Sequence, residues 1–139
     1  MEKSIQDVMT PDPAICQATA SVAEAATLMR DRDIGDVLVE KDGRLYGLVT
    51  DRDIVVRVLA AGADPRTTPL ADICTRELTV VSPRDPASGA MHIMRERALR
   101  RLPVVANGKA VGIVSLGDLA IEQDRDSALA HISAAPPNT

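Results

Sequence analysis

The sequence predicts a mixed α/β fold of the α+β kind, made of two copies of a strand-helix-strand-strand-helix unit. Three observations carry this expectation. The chain repeats itself at the 65-residue offset that separates Asp53 from Asp118. Apolar spacing switches within each copy from helical to alternating. Asp-Gly and Asn-Gly turns stand between short β-branched runs, a strong hairpin signal.

Asp7 to Asp53 aligns with Asp72 to Asp118 without a gap, and 11 of the 47 pairs are identical. Roughly three would match by chance at ordinary composition. The match is an internal duplication, and a small sheet with two helices on one face buries little alone, so the two sheets are expected to pack together.

In the first copy, a short strand at Ala14 to Cys16 leads into a helix capped by Ser21 and Glu24. Val22, Ala25, Ala26 and Met29 form its apolar face. "DVLVE" and "LYGLVT" then make a hairpin about "KDG". A second helix starts at Thr50, carries "IVVRVLAAG" and stops at Gly62. The linker "AGADPRTTP" joins the copies.

The second copy repeats the order, with a strand at Thr79 to Val81 and Asp85 and Pro86 as cap and first turn. Ala87, Ala90, Met91 and Met94 form the face of its first helix. "LPVVA" and "AVGIVS" flank "NGK", and the last helix starts at Ser115. The expected boundaries are 1-65 for the first copy, 66-125 for the second, and 126-139 for a helix end and a flexible C-terminal tail.

Composition narrows the function. The net charge is -4 and no long basic run appears, which argues against a nucleic-acid partner. Aromatics are 1%, with Tyr46 alone, so bases have no platform on which to stack. The chain has no signal-like or membrane-spanning apolar run, and a cytoplasmic protein with no membrane partner is expected. In that compartment Cys16 and Cys74 are expected as reduced, packed thiols.

His92 and His131 have no ligand spacing to each other or to the cysteines, so no metal site is expected. Nor does any nucleophile stand with a marked base and orienting group, and no catalytic residue is assigned.

The chemistry concentrates in the doubled "GLVTDRD" and "GIVSLGD". Thr50 and Asp53, and likewise Ser115 and Asp118, have the spacing of a helix-capping box. A carboxylate at a helix start also offers acceptors to two vicinal hydroxyls, beside amides that favour phosphate. The copies differ at the entrance to their middle strand. The second has Arg100 and Arg101 where the first has Gly35 and Asp36, while Arg52 is unique to the first motif.

The tandem unit and its two motifs resemble a pair of cystathionine-β-synthase (CBS) domains, a Bateman module. They are especially similar to small stand-alone bacterial pairs of the hypoxic response type. The resemblance runs from about Ile5 to about Ile121. It implies β-α-β-β-α units with a short leading helical turn, related by a pseudo-two-fold axis. It also implies a non-catalytic regulatory module with no covalent cofactor, binding AMP, ADP, ATP or S-adenosylmethionine between the units. Such modules usually dimerise through their helices and signal to a partner, here unknown.

By that resemblance Asp53 and Asp118, with Thr50 and Ser115, hold ribose, and Arg100, Arg101 and Arg52 meet phosphate. Ile15, Val37, Leu38, Val80, Leu102 and Pro103 frame the adenine. The alternative is a structural dimerisation protein that binds no physiological nucleotide, and the absence of a phosphate-friendly residue pair in the first copy, which has Gly35 and Asp36 there, supports it.

Overall fold

The computed structural model describes residues 2–123. The expected helix end and tail at 126-139, and His131, lie outside the described residues. Two short elements open the chain, helix α1 (Ile5–Val8) and strand β1 (Thr10–Pro11). The first repeat follows as β2 (Ile15–Gln17), α2 (Val22–Arg32), β3 (Asp36–Lys41), β4 (Arg44–Thr50) and α3 (Asp51–Ile54). Helix α3 runs on into a π-helical turn, Val55–Leu59. After a 3-10 turn at Leu70–Asp72 come α4 (Ala87–Arg97), β5 (Arg101–Ala106), β6 (Lys109–Ser115) and α5 (Leu116–Gln123).

Local sequence explains most of these elements. The hairpins β3-β4 and β5-β6 turn through Asp42 and Gly43, and through Asn107 and Gly108. All four residues have positive φ, as the tight turn demands. Both hairpins carry an irregularity at the same place in the repeat, after Val39 and after Val104. Gly62 ends the π turn at φ 74°. Ser21 caps α2, its hydroxyl accepting the Glu24 amide at 3.2 Å.

Three sequence expectations change. Pro86 is the N-cap of α4 rather than part of its first turn. Asp85 instead accepts the Ser82 amide at 2.9 Å, and Glu2 reaches the exposed Ser88 amide at 3.0 Å. Ala26 is exposed, although its repeat partner Met91 packs against a core. The second copy has no strand at Thr79 to Val81, only a parallel bridge from Val81 to Val104.

The described residues form two compact units. One contains Ala14–Leu78, the other residues 2–13 with residues 79–123. Each leading segment has therefore joined the other repeat. In the first unit named, β2-β3-β4 forms the sheet, and Thr75 pairs with Leu48 through backbone bonds of 2.9 and 3.0 Å. In the other, β1 lies antiparallel to β6 in the order β1-β6-β5, with Thr10 opposite Ile113. The two pairings are equivalent at the 65-residue offset.

Glycine makes these pairings fit. A Cβ on Gly47 would lie 2.6 Å from Cys74 Sγ and 2.9 Å from the Thr75 carbonyl oxygen. A Cβ on Gly112 would lie 2.5 Å from Met9 Sδ and 2.9 Å from the Thr10 carbonyl oxygen. The glycine that opens each doubled motif thus admits a sulfur and a neighbouring strand.

Each unit has its own core. Val22, Ala25, Met29, Val37, Val39, Val49, Leu70 and Cys74 pack in one. Ile5, Val81, Ala90, Met94, Leu102, Val104, Val114 and Leu119 pack in the other. No helix among the described residues is long and apolar enough to cross a membrane.

Candidate functional site

Both doubled motifs fold as reciprocal capping boxes. The Thr50 amide donates to Asp53 Oδ2 at 2.9 Å, and the Asp53 amide donates to Thr50 Oγ1 at 3.1 Å. In the second copy the Ser115 amide donates to Asp118 Oδ2 at 2.9 Å, and the Asp118 amide to Ser115 Oγ at 3.0 Å. In each box one carboxylate oxygen fixes the helix start. The other is only loosely engaged within the protein. Asp53 Oδ1 lies 3.8 Å from Arg57 Nε, and Asp118 Oδ1 lies 3.5 Å from Thr10 Oγ1.

Around Asp118 the chain leaves an open cavity of about 350 Å³. Arg100, Arg101, Ser115, Leu116, Gly117, Asp118 and Ile121 line it. Four residues singled out in the sequence, two from the loop into β5 and its start and two from the turn into α5, thus meet at one concavity. This happens because β5 and β6 pair Arg101 directly with Ser115, and the Leu116 amide donates to the Arg100 carbonyl at 2.8 Å. Two guanidinium groups, a hydroxyl and a carboxylate make a lining suited to an anionic ligand that carries hydroxyls.

The corresponding place in the first copy is lined differently. The Asp51 amide donates to the Gly35 carbonyl at 3.0 Å, the same bond that joins Leu116 to Arg100. Asp51 has a side chain that Leu116 lacks in kind: its Oδ1 accepts the Arg52 amide at 2.8 Å. Its Oδ2 lies 3.1 Å from where a Cβ on Gly35 would be. Arg52 itself is exposed.

The residues expected to frame adenine are dispersed in burial. Val37 and Leu102 are fully buried members of the two cores, so their side chains serve packing. Leu38 and Pro103 are buried as well. Ile15 is half-buried on β2, and Val80 is exposed beside the Val81 bridge. A second cavity, of about 400 Å³, lies by Gln17, Thr19, Glu40 and Asp42, at the other end of β3 from Thr50, and includes none of the expected residues.

Sequence reasoning did not single out Thr10, Met9 or the bond from the Arg52 amide to Asp51. Met9 and Cys74 occupy equivalent repeat positions, as do Thr10 and Thr75, which was the available signal. Cys16 and Cys74 are free thiols. Burial pushes both thiol pKa values up. Among the described residues no cluster of three or more His, Cys, Asp or Glu could hold a metal ion.

The CBS domain family model matches the chain twice, at residues 5–60 and 70–124. The CBS domain-containing protein YhcV of Bacillus subtilis is 38% identical over 134 residues, covering 94% of this chain and 95% of the relative. A crystal structure of hypoxic response protein I, with two coordinated zinc ions, superposes with a TM-score of 0.76 at 32% identity, covering 86% of this chain and 98% of the other. The CBS domain pair of protein MJ0100, solved with 5-methylthioadenosine and S-adenosyl-L-methionine, shares the fold at a TM-score of 0.79 and 22% identity, covering 91% of this chain and all of the other.

Proposed function

From the premise that the chain belongs to the CBS-domain family and is a tandem regulatory pair, we propose that it is a non-catalytic sensor of adenosine-containing ligands, with Asp118 as its ribose acceptor. The observation that supports this most is the cavity shared by Asp118, Ser115, Arg100 and Arg101. Asp118 keeps its capping bond to Ser115 through one oxygen while the other accepts from ribose hydroxyls. The two arginines and the start of α5 balance phosphate charge. The 5-methylthioadenosine and S-adenosyl-L-methionine bound by a protein of the same fold support the adenosine class.

The output is conformational. A ligand that prefers one arrangement of the two repeats shifts the population by its differential affinity. In this reading the protein acts in the cytoplasm, as a homodimer through its helices, and passes the signal to an effector protein. Val55, Val56 and Leu59, 54%, 51% and 72% exposed, support a helical dimer face.

A thermal-shift panel of AMP, ADP, ATP and S-adenosylmethionine tests the reading on protein freed of co-purified nucleotide. At 100 times its dissociation constant a ligand adds about 2.7 kcal/mol. The melting temperature then rises by about 5–10 °C for a chain of this size. Asp118→Asn removes most of that rise. No rise with any adenosine compound, or a rise untouched by Asp118→Asn, overturns the assignment.

A further inference from the structure

We propose that Asp51 closes the first repeat to phosphorylated ligands by putting its own carboxylate where a phosphate would bind, so that each chain binds a single nucleotide, in the second repeat. The inference rests on the adenosine-sensor reading and adds to it the stoichiometry and the residue that sets it.

The two equivalent turns differ in how their backbone donors are used. In the first repeat all four amides from Thr50 to Asp53 are taken within the protein: by Asp53 Oδ2, the Gly35 carbonyl, Asp51 Oδ1 and Thr50 Oγ1. In the second repeat three bonds recur, through Asp118 Oδ2, the Arg100 carbonyl and Ser115 Oγ. The fourth does not. Gly117 stands in place of Arg52, and the residue before it is Leu116, which has no carboxylate to offer. Gly117 instead lines the 350 Å³ cavity.

Charge points the same way. Asp51 occupies the space beside Gly35, where any side chain would crowd its carboxylate. The equivalent of Gly35 is Arg100, whose side chain lines the cavity. A phosphate approaching the first turn meets a carboxylate and finds the amides occupied, whereas at the second it meets two guanidinium groups. A like charge at such a separation costs far more near a protein surface than in bulk water. Glycine at 35 and aspartate at 51 are thus one device: the first makes room for the second.

Isothermal titration with ADP reads the stoichiometry directly. Wild type is expected to bind one ADP per chain, and Asp118→Asn none. Asp51→Leu with Gly35→Arg, copying Leu116 and Arg100, is expected to bind two, and to retain one when Asp118→Asn is added. Asp51→Ala, which removes the carboxylate with the least disturbance, should admit a second ADP at the first repeat, as loss of a like charge predicts. Two ADP bound by wild type, with one lost on Asp53→Asn, would overturn the proposal. So would a single ADP on both Asp51 variants while each melts cooperatively. Failure of wild type to bind any adenosine compound is a different result: it removes the sensor reading itself, and this inference with it.

Discussion

Replacing Gly112 by alanine tests the close approach of the leading segment to β6. The added Cβ would stand 2.5 Å from Met9 Sδ and 2.9 Å from the Thr10 carbonyl oxygen. The sulfur ends a flexible side chain and can rotate away. The carbonyl belongs to the backbone of β1, paired with Ile113 and Gly112, and cannot retreat without loosening that pairing. Such overpacking costs about 1–3 kcal/mol, while alanine in place of glycine in a strand recovers about 0.5–1 kcal/mol. The net loss is therefore at most about 2.5 kcal/mol and centred on about 1 kcal/mol, or a fall in melting temperature of about 3 °C. Gly89→Ala is the matched control. Its Cβ would meet only Pro86 Cγ at 3.6 Å, an ordinary contact, inside α4. There the same change stabilises by up to about 1 kcal/mol. Urea and thermal denaturation of both variants should give opposite signs. Adding Met9→Ala to Gly112→Ala relieves the sulfur contact and leaves the carbonyl one. A Gly112→Ala protein as stable as wild type would refute the account of the motif glycine.

Three further outcomes follow from other contacts. Ala98 ends α4 at φ 55°, a left-handed conformation that costs a residue with a Cβ about 1–2 kcal/mol; Ala98→Gly should raise the melting temperature by about 3–6 °C. Two fragments of equal length should differ sharply in circular dichroism. Residues 14–78 retain Leu70, Ile73 and Cys74 in their core and should hold native-like structure, whereas 1–65 lacks them and should be largely unfolded. The hydrogen bond from Ser88 lowers the Glu2 pKa below its ordinary 4.5. Its contribution is then complete above that value and lost as pH falls through the lowered one, so Glu2→Gln should flatten the acid limb of a stability-pH curve.

Most of the repeat was legible because its signals are local. A positive φ at Asp42 and Asn107 follows from the glycine after each, and the buried faces of α2 and α4 follow from helical spacing. The capping boxes were legible for the same reason: donor and acceptor stand three residues apart. What escaped was set by distant or mutual geometry. A two-residue strand such as β1 has no periodicity, and Thr10 contacts Asp118 across a sequence separation of 108. The Asp51 carboxylate, which accepts the Arg52 amide, lies where a side chain at Gly35, 16 residues away, would crowd it. The cap of α4 slipped by one residue because Ser82 competes for the Asp85 carboxylate.

The exchange of leading segments also gives the chain an order in time. Residues 2–13 leave the ribosome well before the β6 strand that receives them, which ends at Ser115. Ala14–Leu78 can close as a unit while the opening residues still lack a partner. At a synthesis rate of about 5–20 residues per second, roughly 5–20 s separate the two events. The leading segment waits for a strand made about a hundred residues later, and during that interval Ile5 and Met9 are apolar groups a nascent chain must keep out of wrong contacts.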